Sequence, residues 1–262
     1  MSWKRIAAMV ASAPMVLWLS ACVLLYFAQD LLLYPRPAPR PIEGARRVDQ
    51  VQSEQTDVEV PVAWYGDAPT GVVWFHGNGE QLADSVYMAP PFVQRGIGFS
   101  AIEHAGYGLS AGQGPDEASI LAGARAGMER IGGKPACVGW SLGSGVAARM
   151  ASEGRCSSLV LLSPYKAIVD VAADQYWMFP VRALIHDGYE TRSFAADLEV
   201  PTLIVHGRSD RLIPVEHGRA LAQMIPDAEY IEVEGGHLIG GDAEVLARVA
   251  EWVVEQNGKA IY

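Results

Sequence analysis

The segment Gly139-Trp140-Ser141-Leu142-Gly143 joins a short apolar run, Ala136-Cys137-Val138, to a stretch rich in small residues. A serine set between two glycines at such a junction reads as a nucleophile elbow. The strand-to-helix turn is so tight that side chains two residues to either side of the serine would collide with the neighbouring strand and helix, and glycine removes both clashes. The turn lifts the Ser141 hydroxyl above the sheet and leaves the Leu142 N–H at a helix N-terminus, aimed at whatever oxygen the serine attacks. Gly143, Ser144, Gly145, Ala147 and Ala148 then provide a small-residue face that lets the helix lie close on a sheet.

Three other loops carry groups that complete this chemistry. In His76-Gly77-Asn78-Gly79 the glycines allow a turn in which the Asn78 N–H joins that of Leu142 as an oxyanion hole. In His206-Gly207-Arg208-Ser209-Asp210, Asp210 can orient an imidazole and stabilise its charged form, or merely cap the helix near Pro214. In Gly235-Gly236-His237 the histidine sits on a glycine-flexed loop from which it can reach the serine and act as base. The chain order serine, acid, histidine belongs to one sheet architecture and differs from the other triad folds. His76 and His206 precede glycine at strand ends and read as structural; His186 and His217 read as loop and helix-surface residues. His104 either lines the pocket or forms a turn. No spacing among them makes a metal site, and covalent serine catalysis implies no cofactor.

These loops must be held by strands and helices. Apolar runs at Gly71–Phe75, Gly98–Ile102, Ala136–Val138, Leu159–Leu162, Thr202–Val205 and Tyr230–Val233 are short and end in Gly, His, Ser or Pro. Helical periodicity separates most of them, at Asp116–Ile131, Leu142–Glu153, Glu216–Met224 and Asp242–Glu255. Strands buried on both faces and alternating with helices predict a mostly parallel central sheet with helices on both faces. Thr56–Val60 alternates as an edge strand, with Pro61–Tyr65 as its hairpin partner.

A chain of 262 residues, half of them apolar, fits one large α/β domain. The net charge of −10, with no basic run after residue 50, argues against a nucleic-acid partner. Three cysteines, Cys22, Cys137 and Cys156, make no even framework, so neither a disulfide scaffold nor a zinc site is indicated, and Cys137 reads as a buried strand residue. From Ile6 to Ala28 the chain runs without a charge behind Lys4 and Arg5, long enough to span a bilayer. Two readings of residues 1–28 stand: a retained signal anchor, or a lipoprotein signal at Leu19-Ser20-Ala21-Cys22. Both tether the domain, and Lys4 and Arg5 favour the extracytoplasmic side, against the pull of Arg36, Arg40, Arg46 and Arg47. A proline-rich spacer occupies 29–47 and the catalytic domain 48–262, with a short cap inserted at 164–200 whose Trp177, Met178 and Phe179 either wall an open site, touch the bilayer, or are ordinary core.

With these motifs together, and with Phe27-Ala28-Gln29-Asp30-Leu31-Leu32-Leu33-Tyr34-Pro35, Gly106-Tyr107-Gly108 and Ser163-Pro164-Tyr165, the chain resembles the α/β-hydrolases, and more narrowly the membrane-anchored Bem46-like group related to the ABHD13 and ABHD17 serine hydrolases. The resemblance implies Ser141 as nucleophile, His237 as base, Asp210 as orienting acid, and the amides of Asn78 and Leu142 as oxyanion hole. It implies a serine hydrolase of the carboxylesterase, thioesterase or lipase kind, acting on a small-molecule, lipid or acylated-protein ester. Glu103-His104-Ala105 departs from the Asp-Tyr-Arg usual before Gly-Tyr-Gly, which bears on the site mouth rather than the triad. Two alternatives remain at this point: a prolyl-aminopeptidase-like peptidase, with Glu103 or Asp170 binding the substrate amine, and a non-catalytic binding protein of the same fold.

Overall fold

The computed structural model describes residues 3–110 and 114–259. It opens with one long helix, α1 (Trp3–Leu33), which contains Pro14. The side chains of residues 1–11, those of Trp3, Lys4 and Arg5 among them, lie outside the described part. Ser12–Leu33 is long and apolar enough to cross a membrane, with a mean hydropathy of 1.9. The proline-rich chain that follows is strapped to the body. Tyr34 is buried and donates to Asp187 Oδ2 at 2.6 Å, the Gln81 side chain grips both the Ala38 carbonyl (2.9 Å) and the Arg40 amide (2.8 Å), and Arg40 pairs with Asp84.

Among the described residues eight strands follow: β1 (Arg47–Gln52), β2 (Glu59–Tyr65), β3 (Thr70–Phe75), β4 (Gly98–Ile102), β5 (Ala136–Trp140), β6 (Ser158–Leu162), β7 (Thr202–Gly207) and β8 (Glu229–Val233). They form one sheet in the order β1-β2-β4-β3-β5-β6-β7-β8, with β2 antiparallel to both neighbours and every pair from β4–β3 onward parallel. Strands β4 to β7 are buried at every position. Helices cover both faces, which is why these strands are apolar runs rather than alternating ones. The helices after α1 are α2 (Ser85–Met88), α3 (Pro90–Val93), α4 (Glu117–Ile131), α5 (Leu142–Ser152), α6 (Ile168–Gln175), α7 (Val181–Leu184), α8 (Glu216–Met224) and α9 (Ala243–Lys259). Ile120 of α4, Val146 of α5 and Leu221 of α8 belong to the core on one face; Phe92 of α3 and Val249 of α9 belong to the core on the other. Local chemistry sets the boundaries. Asp116 caps α4 by accepting from Ser119 N at 2.7 Å, and Leu246, Val249, Ala250 and Val253 give α9 one apolar stripe.

Two expectations are corrected. Pro61 does not divide a hairpin: β2 runs through it, and its antiparallel partner is β1, upstream. Pairing with β4 starts at Val62, so the missing N–H of Pro61 falls at the end of that ladder, where its carbonyl still accepts from Glu103 N at 3.0 Å. The second concerns the cysteines. Cys137 on β5 is disulfide-bonded to Cys156, with Cα atoms 5.7 Å apart. An odd count concealed the pair, because β5, the elbow and α5 return the chain to its own starting point across a separation of 19 residues. Closing a loop of that size stabilises by about 3 kcal/mol in the chain-entropy model. Cys156→Ser is therefore expected to lower the unfolding free energy by about that amount in urea titrations, and dithiothreitol should bring the wild type down to the mutant while leaving the mutant unmoved.

Candidate active site

Ser141 sits between β5 and α5 with φ 52° and ψ −117°, a conformation that L side chains rarely adopt. The flanking glycines are sterically required. A Cβ on Gly139 would lie 2.2 Å from the Gly143 carbonyl oxygen, and one on Gly143 would lie 2.1 Å from that of Phe75. Leu142 is the first residue of α5, so its N–H has no acceptor within the helix.

His237 begins a short 3₁₀ turn after β8, and Asp210 lies in the loop after β7. The structure brings both to the serine. His237 Nε2 is 2.8 Å from Ser141 Oγ, and His237 Nδ1 is 2.8 Å from Asp210 Oδ2. An imidazole protonated on Nδ1 donates to the carboxylate and accepts from the hydroxyl, which is the arrangement a general base needs. Asp210 Oδ1 accepts from the amides of Leu212 and Ile213, each at 2.9 Å, and His206 Nε2 lies 3.4 Å from Oδ2 while donating to the Ile213 carbonyl at 2.9 Å. Burial, the largest single influence, would raise the pKa of Asp210. The hydrogen bonds from His206, His237 and the Ile213 amide outweigh it and hold the carboxyl well below the usual range. Asp210 is thus an anion buried beside the imidazole.

Groups to which the sequence assigned no part in the triad complete the positioning. Trp140 Nε1 and Ser163 Oγ both donate to the His237 carbonyl, at 3.2 and 3.4 Å, fixing the loop from two sides. Tyr107 donates to Asn78 Oδ1 at 2.6 Å, while Asn78 Nδ2 donates to the Leu33 carbonyl at the end of α1. Behind this loop, His76 Nε2 pairs with Glu103 Oε1 at 2.9 Å and His76 Nδ1 donates to the Gly77 carbonyl at 2.9 Å, all of it buried. Burial opposes a charge on His76, but Glu103 prevails through its hydrogen bond and its charge, and the pKa of His76 is raised. His104 lies against it, ring centroids 3.8 Å apart and planes tilted by 38°, and is driven well below its ordinary pKa by burial and by the neighbouring His76. The departure at Glu103-His104 is therefore a buried prop under the His76–Gly79 loop. A motif comparison flags the position, but only the fold supplies its partner.

Asn78, Ser141 and Leu142 line one cavity of about 210 Å³, walled by the cap and by α1. Trp177, read as a possible wall or core residue, is 81% exposed, while Phe179 is half-buried and stacks with Trp18 of α1. His217 is not on the surface of its helix. It is buried, where its Nδ1 accepts from Lys166 N at 3.3 Å, because α8 turns that side toward the segment entering the cap. The two residues considered as amine binders are already engaged: Glu103 with His76, and Asp170 with Arg182 and Arg192 at 2.6 Å each. Among the described residues, no group of three His, Cys, Asp or Glu side chains could hold a metal ion.

The eight-stranded order with its single antiparallel excursion, and a serine on a strained strand-to-helix turn, define an α/β-hydrolase. The chain belongs to the FSH1 serine hydrolase family, whose model matches residues 32–248. It is similar along most of its length to an uncharacterized protein of Mycobacterium tuberculosis, 29% identical and covering 94% of this chain and 92% of that one. The alpha/beta hydrolase domain-containing protein 17C of Xenopus laevis is 30% identical over 69% of this chain and 58% of its own length. Among solved structures, the Pyrococcus furiosus esterase Pf2001 superposes with a TM-score of 0.69 at 18% identity, over 85% of this chain and 98% of that one. A Paleococcus ferrophilus monoacylglycerol lipase does so with 0.62 at 21%, over 75% and 99%. The protein is accordingly a hydrolase of the serine hydrolase family.

Proposed function

We propose that this hydrolase is tethered to a membrane by α1 and cleaves carboxylic esters or thioesters through an acyl-enzyme. The observation that carries this reading is the unbroken relay from Asp210 through His237 to Ser141, two contacts of 2.8 Å ending in an apolar cavity. His237 Nε2 removes the Ser141 proton as Oγ bonds to the acyl carbon, and the carbonyl π electrons move onto oxygen, held by the amides of Asn78 and Leu142. The carbonyl re-forms, the bond to the leaving oxygen or sulfur breaks, and His237 returns its proton to that atom. Water then attacks the acyl-enzyme by the same route and frees the acid and Ser141. Asp210 keeps the imidazole in the required tautomer and offsets its transient charge.

The disulfide supports an extracytoplasmic catalytic domain, since such bonds persist in oxidising compartments. Charge at Lys4 and Arg5 before the apolar stretch supports the same orientation. The esterase and lipase among the structural neighbours agree with ester chemistry. The test is intact-mass spectrometry of the full chain after incubation with a fluorophosphonate. One adduct, mapping to the peptide that contains Ser141, is expected. A folded wild type with no adduct, or an adduct elsewhere, would refute the mechanism.

A further inference from the structure

α1 does more than precede the domain. Ala21, Cys22, Leu25, Ala28, Gln29 and Leu33 recur at helical spacing and are buried or half-buried against the body. Trp18 donates to the Met178 carbonyl at 3.0 Å, and Gln29 holds the cap twice, donating to the Leu184 carbonyl (3.0 Å) and accepting from His186 N (2.9 Å). Leu25, Gln29, Leu32 and Leu33 line the same cavity as Ser141. The opposite face of the helix, Val23, Leu24, Phe27 and Leu31, is apolar and bare.

The length of the helix fixes where this cavity lies in a bilayer. From Trp18 onward α1 is docked on the cap, which leaves the uncharged stretch Ile6–Leu17, about 18 Å of helix at 1.5 Å per residue, ahead of the docked part. The hydrocarbon core is about 30 Å thick. For α1 to span it, the cap rim must enter the leaflet by about 12 Å. The rim is built for that: Trp177 and Met178 are exposed beside Trp18. Leu25, about 10 Å of helix beyond Trp18, then stands at the edge of the hydrocarbon core, so the near wall of the cavity between α1 and the cap meets the lipid there.

We propose that α1 is the specificity-determining wall of the active site, and that the substrate is a long-chain acyl ester lipid drawn from the leaflet that the cap rim enters. Its chain lies between Leu25, Leu32 and the cap, and its carbonyl reaches Ser141. This rests on the serine-hydrolase reading above, and the experiment separates the two. Full-length protein in nanodiscs is given 1-palmitoylglycerol within the same bilayer and 4-nitrophenyl butyrate in water, with fluorophosphonate labelling as the check on a folded, active serine. Leu25→Trp fills the cavity and is expected to lower the ratio of palmitoyl to butyryl hydrolysis at least about tenfold. Leu24→Trp, the same change on the bare face, is expected to leave the ratio at the wild-type value. Equal ratios in Leu25→Trp and wild type, with labelling intact, would overturn the role of α1. A palmitoylated peptide in solution cleaved as fast as the bilayer ester would overturn the lipid source. Loss of labelling and of butyrate hydrolysis in the wild type would instead remove the hydrolase mechanism itself.

Discussion

Ser141→Ala is expected to abolish fluorophosphonate labelling and to lower kcat for 4-nitrophenyl butyrate by roughly 10⁴- to 10⁶-fold, with the residue from oxyanion donors and binding alone. The size of the loss follows from the geometry. His237 has one short contact to Ser141 and one to Asp210, each 2.8 Å, so the three groups act as a unit rather than as separate contributions. His237→Ala should cost about as much as the serine change, and the double variant little more, because either single change already removes the activated nucleophile. Asp210→Asn should lower kcat by roughly 10⁴-fold, since an amide in that place stabilises the wrong imidazole tautomer. Initial-rate measurements on purified variants decide this. If Ser141→Ala kept more than about a hundredth of the wild-type rate, the serine would not be the nucleophile.

The second large effect is expected at Glu103, which touches none of the triad. Its carboxylate is buried against His76 and accepts from Leu82 N at 3.0 Å, and Gly108 approaches so closely that a Cβ there would overlap it. Removing one partner of a buried pair leaves the other uncompensated, at a cost of roughly 3 kcal/mol. Glu103→Gln should therefore lower Tm by about 6–12 °C for a chain of this size. The same pair sets a pH dependence. Because the folded pKa of His76 is raised, its contribution to stability is fully present below the unfolded value of about 6.5 and is lost as pH rises through the folded value. The gap in stability between wild type and Glu103→Gln should be widest below about pH 6.5 and should narrow as pH rises through the folded value. Denaturant titrations across that range measure it, and a gap that is constant or widens would show that His76 carries no charge in the folded protein.

Much of the architecture was legible because it is written locally. Buried parallel strands appear as apolar runs, since both faces are covered; Asp116 announces α4, since an open helix end needs an acceptor; and Glu216–Met224 carries its apolar period within its own nine residues. The elbow was legible for a stricter reason: the close approaches at Gly139 and Gly143 tolerate no Cβ, so the chemistry imposes glycine at those spacings. Asp210 and His237 followed because each sits in a loop at the carboxyl end of a strand, where this sheet gathers its polar groups.

What stayed hidden involves partners far apart in sequence, for which no local period exists. Pro61 looks like a break until β4 is seen to pair only from Val62. Cys137 looks like one buried thiol among three until α5 returns the chain beside it as Cys156. His217 looks exposed until α8 is packed, and Glu103 looks like a variant mouth residue until His76 is placed against it. The hydropathy of α1 identifies a helix fit for a membrane, but hydropathy is blind to direction around the axis. Only the docking of Gln29 on the cap, settled by contacts some 150 residues away, with Leu25 and Leu33 lining the same cavity, makes one side of that helix a wall of the cavity that holds Ser141.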